Sequence, residues 1–215
     1  MAATPAKKKA AAAAKKSPAS KPPMAANKPY PDNTAENTTP PKFRPPDAVD
    51  LLVADHLAAG KIFKQYEKLA KKDAPAGQRK ALADKVCGML TVHTTIEEEI
   101  FYPAARAAGI GAAMMDEAYI EHASANELIV QIMLAKPTDD YFDAKVKVLG
   151  DYIEHHVMEE HTEMFRKCRR SKMDLIALRG QLSAKKTQLE KAEQPKGDKP
   201  GLLERLIGSP TRKAA

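Results

Sequence analysis

Tryptophan is absent from the 215 residues, and Tyr and Phe together supply only eleven aromatic side chains. Ala and Leu dominate the apolar set instead, which points to a helical core. Two cysteines, Cys87 and Cys168, are the whole complement. That number is too small for a disulfide framework and fits a reducing, cytoplasmic compartment. No run of about 18 apolar residues exists, which excludes a membrane-spanning helix. The N-terminus lacks the apolar segment of a secretory signal. A Gly-rich phosphate loop, a nucleophile elbow and a CxxC pair are missing too, so nothing suggests nucleotide binding, serine hydrolysis or dithiol exchange.

What is present is unevenly charged. Residues 1–46 carry nine Lys/Arg against two Asp/Glu, residues 47–170 carry sixteen against twenty-one, and residues 171–215 carry ten against five. A mildly acidic body therefore lies between two basic ends, and the formal net charge of +7 belongs to the ends. Ten of the sixteen prolines fall in residues 1–46. That segment has few side chains to form a core, so the entropy cost of folding it is not offset, and it is expected to be disordered. Its Lys/Ala/Pro composition resembles that of linker-histone tails. It predicts either a solubilising leader or non-specific nucleic-acid attachment by phosphate neutralisation.

From Asp47, a candidate N-cap, the body shows four runs of period near 3.6 and no strand-like alternation. The first has Val49, Leu52, His56, Ala59, Phe63, Tyr66 and Ala70, and breaks at Asp73 to Gly77. The second has Leu82, Val86, Met89, His93, Glu97, Ile100 and Ala104, and stops near Gly109 and Gly111. The third has Met115, Tyr119, His122, Asn126, Ile129 and Met133, and stops at Lys136-Pro137. Thr138 or Asp139 is the candidate cap of the fourth, which has Phe142, Val146, Leu149, Ile153, His156, Glu160 and Met164. Short connections between long helices favour an all-α, up-down antiparallel four-helix bundle over residues 47–170. Pro103 is expected to bend the second helix near its end. Leu175, Leu178, Leu182 and Leu189 predict an extension of the fourth helix or a fifth helix within the basic C-terminal segment 171–215, with Gly180 counting against helix there. The GLLERLIG stretch there reads as a short amphipathic docking turn.

Four of the six histidines interrupt these apolar faces, one per helix. His56, His93, His122 and His156 are spaced by 37, 29 and 34 residues, each about one helix plus a turn. In an antiparallel bundle their heights agree to within roughly 5 Å. Glu97 follows His93 by four residues, and Glu160 follows His156 by four, so each pair shares a helix face. No Lys or Arg lies on these faces to neutralise the carboxylates, and burying them unpaired would cost several kcal/mol each. A pair of divalent cations removes that cost. Mixed imidazole and carboxylate donors suit iron, manganese or zinc better than calcium or magnesium. His155 is turned about 100° from His156 and is expected to face outward or a neighbouring helix. His161 reads as a rim or outer residue, Tyr119 and Tyr152 as packing or outer residues, and both cysteines as structural thiols.

The segments DLLVADH, HTTIEEEIFYP, YIEHASANEL and IEHHVMEEHTEMF, in this order, resemble the hemerythrin-like HHE cation-binding domain. The resemblance implies a four-helix bundle around an oxygen-bridged, non-heme di-iron centre. Its ligands would be His56, His93, Glu97, His122, His156 and Glu160, with Glu97 and Glu160 bridging. Two positions depart from the pattern of oxygen-carrying members. Asn126 stands where a further ligand is expected, and His161 stands where an acidic residue is common. The first departure leaves one iron with an open position, suited to dioxygen, peroxide or nitric oxide. A ferritin-type site needs ExxH motifs, and none of the four core histidines has Glu three residues before it. The expected function is therefore to sense, bind or store dioxygen or iron. Turnover of peroxide or nitric oxide is one competitor, and a metal-responsive adapter that binds nucleic acid through its tails is the other. The chain is expected to be a monomer or weak oligomer.

Overall fold

Asp47 starts the first helix as its composition predicts. The Asp47 side chain accepts from the Asp50 N–H at 3.0 Å, and the Asp50 side chain accepts from the Asp47 N–H at 2.8 Å. This capping box satisfies two of the N–H groups that a helix start leaves unpaired. Helix α1 then runs over Ala48–Lys71 and buries Val49, Leu52, His56, Ala59, Ile62 and Tyr66. The computed structural model describes residues 44–193. The basic N-terminal segment and the GLLERLIG stretch lie outside them.

The second helix, α2, has three parts: Ala76–Ile96, a π-helical turn Glu97–Phe101, and Tyr102–Ala107. Helix α3 spans Ala112–Leu134. Helix α4 repeats the pattern of α2: Phe142–Glu159, a π-helical turn Glu160–Met164, and Phe165–Arg170. A separate α5, Leu175–Glu193, follows the break after Arg170 and runs through Gly180 without interruption. Every regular element among the described residues is helical, and none of these helices is long and apolar enough to cross a membrane.

Two details differ from the sequence expectation. Neither Thr138 nor Asp139 caps α4. Asp139 instead accepts from the Lys136 N–H at 2.9 Å, and Tyr141, in the left-handed region at φ 65°, leads into the helix. The hydrogen bonds of the Lys136–Phe142 turn use the polar side chain that would have capped. The distortion in α2 is also not a simple proline bend. It takes the form of a π turn that begins at Glu97, and α4 has the same turn with no proline in it.

Helix α1 packs against α2 and α4, and α3 packs against the same two, which closes a four-sided bundle. Gly150 on α4 leaves room for the Phe63 ring of α1, since a Cβ there would meet it at 3.2 Å. Helix α5 lies against α1 and α2 and buries Leu178, Leu182 and Leu189. One hydrophobic cluster joins α1, α2, the start of α3, the end of α4 and α5, so the extension shares the bundle's core. Replacing Asp47 by Ala removes the capping box and should lower stability by about 1 kcal/mol. A denaturant titration would register this as a lower midpoint with an unchanged slope.

Candidate metal centre

Each core helix brings one imidazole to the bundle axis. His56 Nε2 lies 2.8 Å from His93 Nε2, and His122 Nε2 lies 3.0 Å from His156 Nε2. Helical spacing adds the carboxylates. Glu97 Oε2 is 3.2 Å from His93 Nε2 and 3.5 Å from His122 Nε2, and Glu160 Oε2 is 3.4 Å from His56 Nε2 and 3.6 Å from His156 Nε2. All six residues are buried, none more than 4% exposed. The six residues singled out from the sequence thus meet in one place, and the outward-facing His155 does not join them.

Donor atoms that share one ion at bond lengths of about 2.1 Å sit roughly 3 Å apart, which is the spacing found here. The donors fall into two groups whose atoms lie within 4.8 Å of one another: His56, His93, Glu97 and Glu160, and Glu97, His122 and His156. Glu97 belongs to both. Among the described residues, six buried side-chain atoms have no hydrogen-bond partner. Both Glu97 oxygens, Glu160 Oε2, His93 Nδ1 and Asp55 Oδ2 are five of them, and Asn126 Oδ1 is the sixth. Asp55 Oδ2 and His93 Nδ1 face each other at 3.5 Å, but buried polar atoms are almost always paired, so the three Glu97 and Glu160 oxygens left without a partner at the bundle axis fit a bound cation.

A set of outer residues holds the imidazoles from behind. His93 Nδ1 faces Asp55 Oδ2 at 3.5 Å, and His156 Nδ1 meets Glu121 Oε2 at 2.8 Å. His122 Nδ1 meets Glu98 Oε1 at 3.0 Å, and His56 Nδ1 meets His161 Nε2 at 2.9 Å. Such partners fix the tautomer and orientation of a metal-binding imidazole. The arrangement repeats between the two halves of the bundle. Asp55 and Glu121 each precede a core histidine in sequence, and each reaches the core histidine of the next helix. Glu98 and His161 each follow a core glutamate.

Tyr102 completes the centre. Its hydroxyl donates to Glu160 Oε1 at 2.9 Å and lies 3.4 Å from His122 Nε2. The sequence reading missed Tyr102 because it stands five residues after Glu97, which in a continuous α-helix turns it about 140° away. The π turn, in which the Tyr102 N–H bonds to the Glu97 carbonyl, brings it inward. Asp55, Glu98 and Glu121 were also missed, although a carboxylate next to a core His or Glu is a signal in the sequence. Of the two tyrosines considered, Tyr119 donates to the Glu98 carbonyl at 3.1 Å, and Tyr152 is half exposed.

Between α3 and α4 a cavity of about 320 Å³ opens beside His122 and His156, lined also by Ala125, Tyr152, Ile153 and His155. On its rim Glu121, His155 and Glu159 bring donors together, but His155 is largely exposed. Cys87 and Cys168 are buried and unpaired. Burial pushes both thiols up to about 12, which leaves them protonated and unreactive.

The charges are strongly perturbed. Burial opposes a proton on His93 and His156, yet Glu97 and Asp55 hold His93 up at about 10, and Glu160 and Glu121 hold His156 up at about 9. Burial, with repulsion from His93, keeps His56 well below its usual value, and burial lowers His122 to about 4. Burial and the Glu97 charge raise Glu160 to about 8. A proton held more tightly in the fold than in the unfolded chain stabilises the fold while it is bound. The contribution of His93 and His156 is complete below about pH 6.5, their unfolded value, and is lost as pH rises through 9 and 10. A metal ion must displace the same protons, so its own stabilisation grows with pH. The melting temperature of metal-stripped protein should therefore fall between pH 7 and 10, and that of metal-loaded protein should not. Parallel curves for the two forms would contradict this.

Comparison with known proteins places the centre in context. The family model of the hemerythrin HHE cation-binding domain matches residues 47–168. A curated protein of Nostoc sp. (strain PCC 7120), described as a DNA nickase, is 30% identical over 122 residues. That alignment takes in 57% of this chain and 31% of the relative, so the chain spans about a third of the relative's length. The crystal structure of a hemerythrin HHE cation-binding domain-containing protein from Mycobacterium kansasii superposes with a TM-score of 0.59. It is 20% identical, and the match covers 75% of this chain and 99% of that one, which establishes a shared fold.

Proposed function

Because the chain belongs to the hemerythrin HHE cation-binding domain family, we propose that His56, His93, Glu97, His122, His156 and Glu160 hold two non-heme iron ions, and that the bundle senses, binds or stores dioxygen or iron. One observation carries this reading. The Glu97 carboxylate lies within reach of His93 on one side and His122 on the other, so it is common to two donor groups. A carboxylate shared in this way links a pair of ions. Imidazole and carboxylate donors with no thiolate suit iron, with manganese or zinc as substitutes.

The two positions are not alike. The group around His56 and His93 gathers four donor residues within 4.8 Å of one another and the group around His122 and His156 three, with Glu160 Oε2 also 3.6 Å from His156. The poorer group borders the 320 Å³ cavity. Iron supplies the redox chemistry and gas affinity when bound. The chain's own residues orient it: Tyr102 holds one oxygen of Glu160, and Asp55, Glu98, Glu121 and His161 hold the four rings. A diatomic gas or peroxide that enters the cavity reaches the three-donor position first. Freshly purified protein should contain two iron ions per chain and show a visible band that changes reversibly with dioxygen. Iron without a gas-dependent band would narrow the function to iron handling. Steady consumption of peroxide or nitric oxide, faster than free iron achieves, would make it an enzyme. Less than one transition-metal ion per chain would overturn the reading.

A second reading rests on the Nostoc relative described as a DNA nickase and on the basic N-terminal segment, nine Lys/Arg against two Asp/Glu in residues 1–46. In it, that segment binds DNA or RNA through phosphates and brings the metal bundle to nucleic acid. Removal of residues 1–43 leaves the Arg44 ion pairs with Asp47 and Asp50 in place. It should weaken DNA binding at low salt and flatten its salt dependence. Equal affinity of the shortened and full chains at the same salt would remove this reading.

A further inference from the structure

Helix α5 lies beyond the residues that the family model matches, yet it grips the metal centre from outside. Its leucines at 178, 182 and 189 are buried against the bundle. On the same side Lys186 forms an ion pair with Asp55 Oδ1, and Lys185 pairs with Glu99 of the first π turn at 2.7 Å. The other Asp55 oxygen is the one that faces His93 Nδ1 at 3.5 Å. A chain of contacts thus runs from α5 through Asp55 to an imidazole of the four-donor group. Among the described residues no lysine pairs with Glu121, the equivalent residue in the other half. Its second oxygen faces the exposed His155 at 3.9 Å, at the rim of the cavity.

We propose that α5 is a clamp that makes the two metal positions unequal. Lys186 is its positioning residue. By occupying one oxygen of Asp55, it fixes the other toward His93, so the ion at His56 and His93 is retained while the ion at His122 and His156 exchanges. The short Asp55 side chain lies at the edge of the bundle, 11% exposed. Without Lys186 it is free to turn toward water and abandon His93. This inference rests on the two-ion reading above and adds to it an order of release.

The test uses full-length, iron-loaded protein and an excess of a ferrous-iron chelator, with release followed by the colour of the chelate. Wild type should release its ions in two phases of equal amplitude. Loss of an outer partner of a metal-bound histidine typically costs 10–100-fold in affinity, and Lys186 acts one contact further out, so Lys186→Gln should speed the slow phase about tenfold. The fast phase should not move, and Lys186→Arg should restore the slow one. An unchanged unfolding midpoint of the metal-free variant separates loss of the clamp from loss of the fold. A slow phase that Lys186→Gln leaves untouched, equal acceleration of both phases, or single-phase release of two ions from wild type would each overturn the clamp and leave the two-ion reading standing. Uptake of fewer than two ions by wild type would refute that reading and the clamp together.

Discussion

Two carboxylates, Glu97 and Glu160, are sealed inside the bundle, and among the described residues their only ion-pair partners are histidines. The rest of the structure depends on this. Uncompensated, their burial would cost several kcal/mol each, more than a small helical domain can spare. The four surrounding imidazoles offset part of that cost in the metal-free chain by taking up protons at His93 and His156. Those protons stand in for cations. The same groups that stabilise the metal-free fold become ligands when the protons leave, so folding, protonation and metal binding are coupled through one cluster.

The bundle meets this constraint twice, with a shift of 63 residues between its halves. His93, Glu97 and the π turn at Glu97–Phe101 correspond to His156, Glu160 and the π turn at Glu160–Met164. A π turn inserts one residue into the helical progression, and such insertions are frequent at functional sites. Here each one starts at the metal-facing glutamate. Its effect is to rotate the following turn, so that Tyr102 in one half and Phe165 in the other point inward. The tyrosine uses that rotation to hold Glu160. The phenylalanine packs against the His56 ring, with centroids 5.9 Å apart. One geometric device therefore gives two chemically different results, and the symmetry of the backbone is broken by the side chains it carries.

The asymmetry extends outward. The side with His56 and His93 is covered by α5, and the side with His122 and His156 faces a cavity. A histidine, His161, backs the first half where Glu98 backs the second. An imidazole partner and a carboxylate partner polarise the rings they hold differently, so the two donor groups are not equivalent.

The helices, the shared level of four histidines and the pairing of His93 with Glu97 and His156 with Glu160 were legible in the sequence. All of these follow from a local period, 3.6 residues per turn, which any stretch of chain carries within itself. The turn of His155 away from the shared face was legible for the same reason, and so was the N-cap at Asp47. Tyr102 was not, because a π turn changes the period where it occurs and nothing in composition announces it. The Asp55–His93 and Glu121–His156 pairs were not, because they join different helices and depend on how each rod is rotated about its own axis. Nor was the pairing of Lys186 with Asp55, 131 residues apart, which exists only because α5 folds back onto α1 and α2. Local spacing determined which atoms are available to a metal. Only the packing of the rods decided which oxygen faces which ring, and which side of the centre is closed.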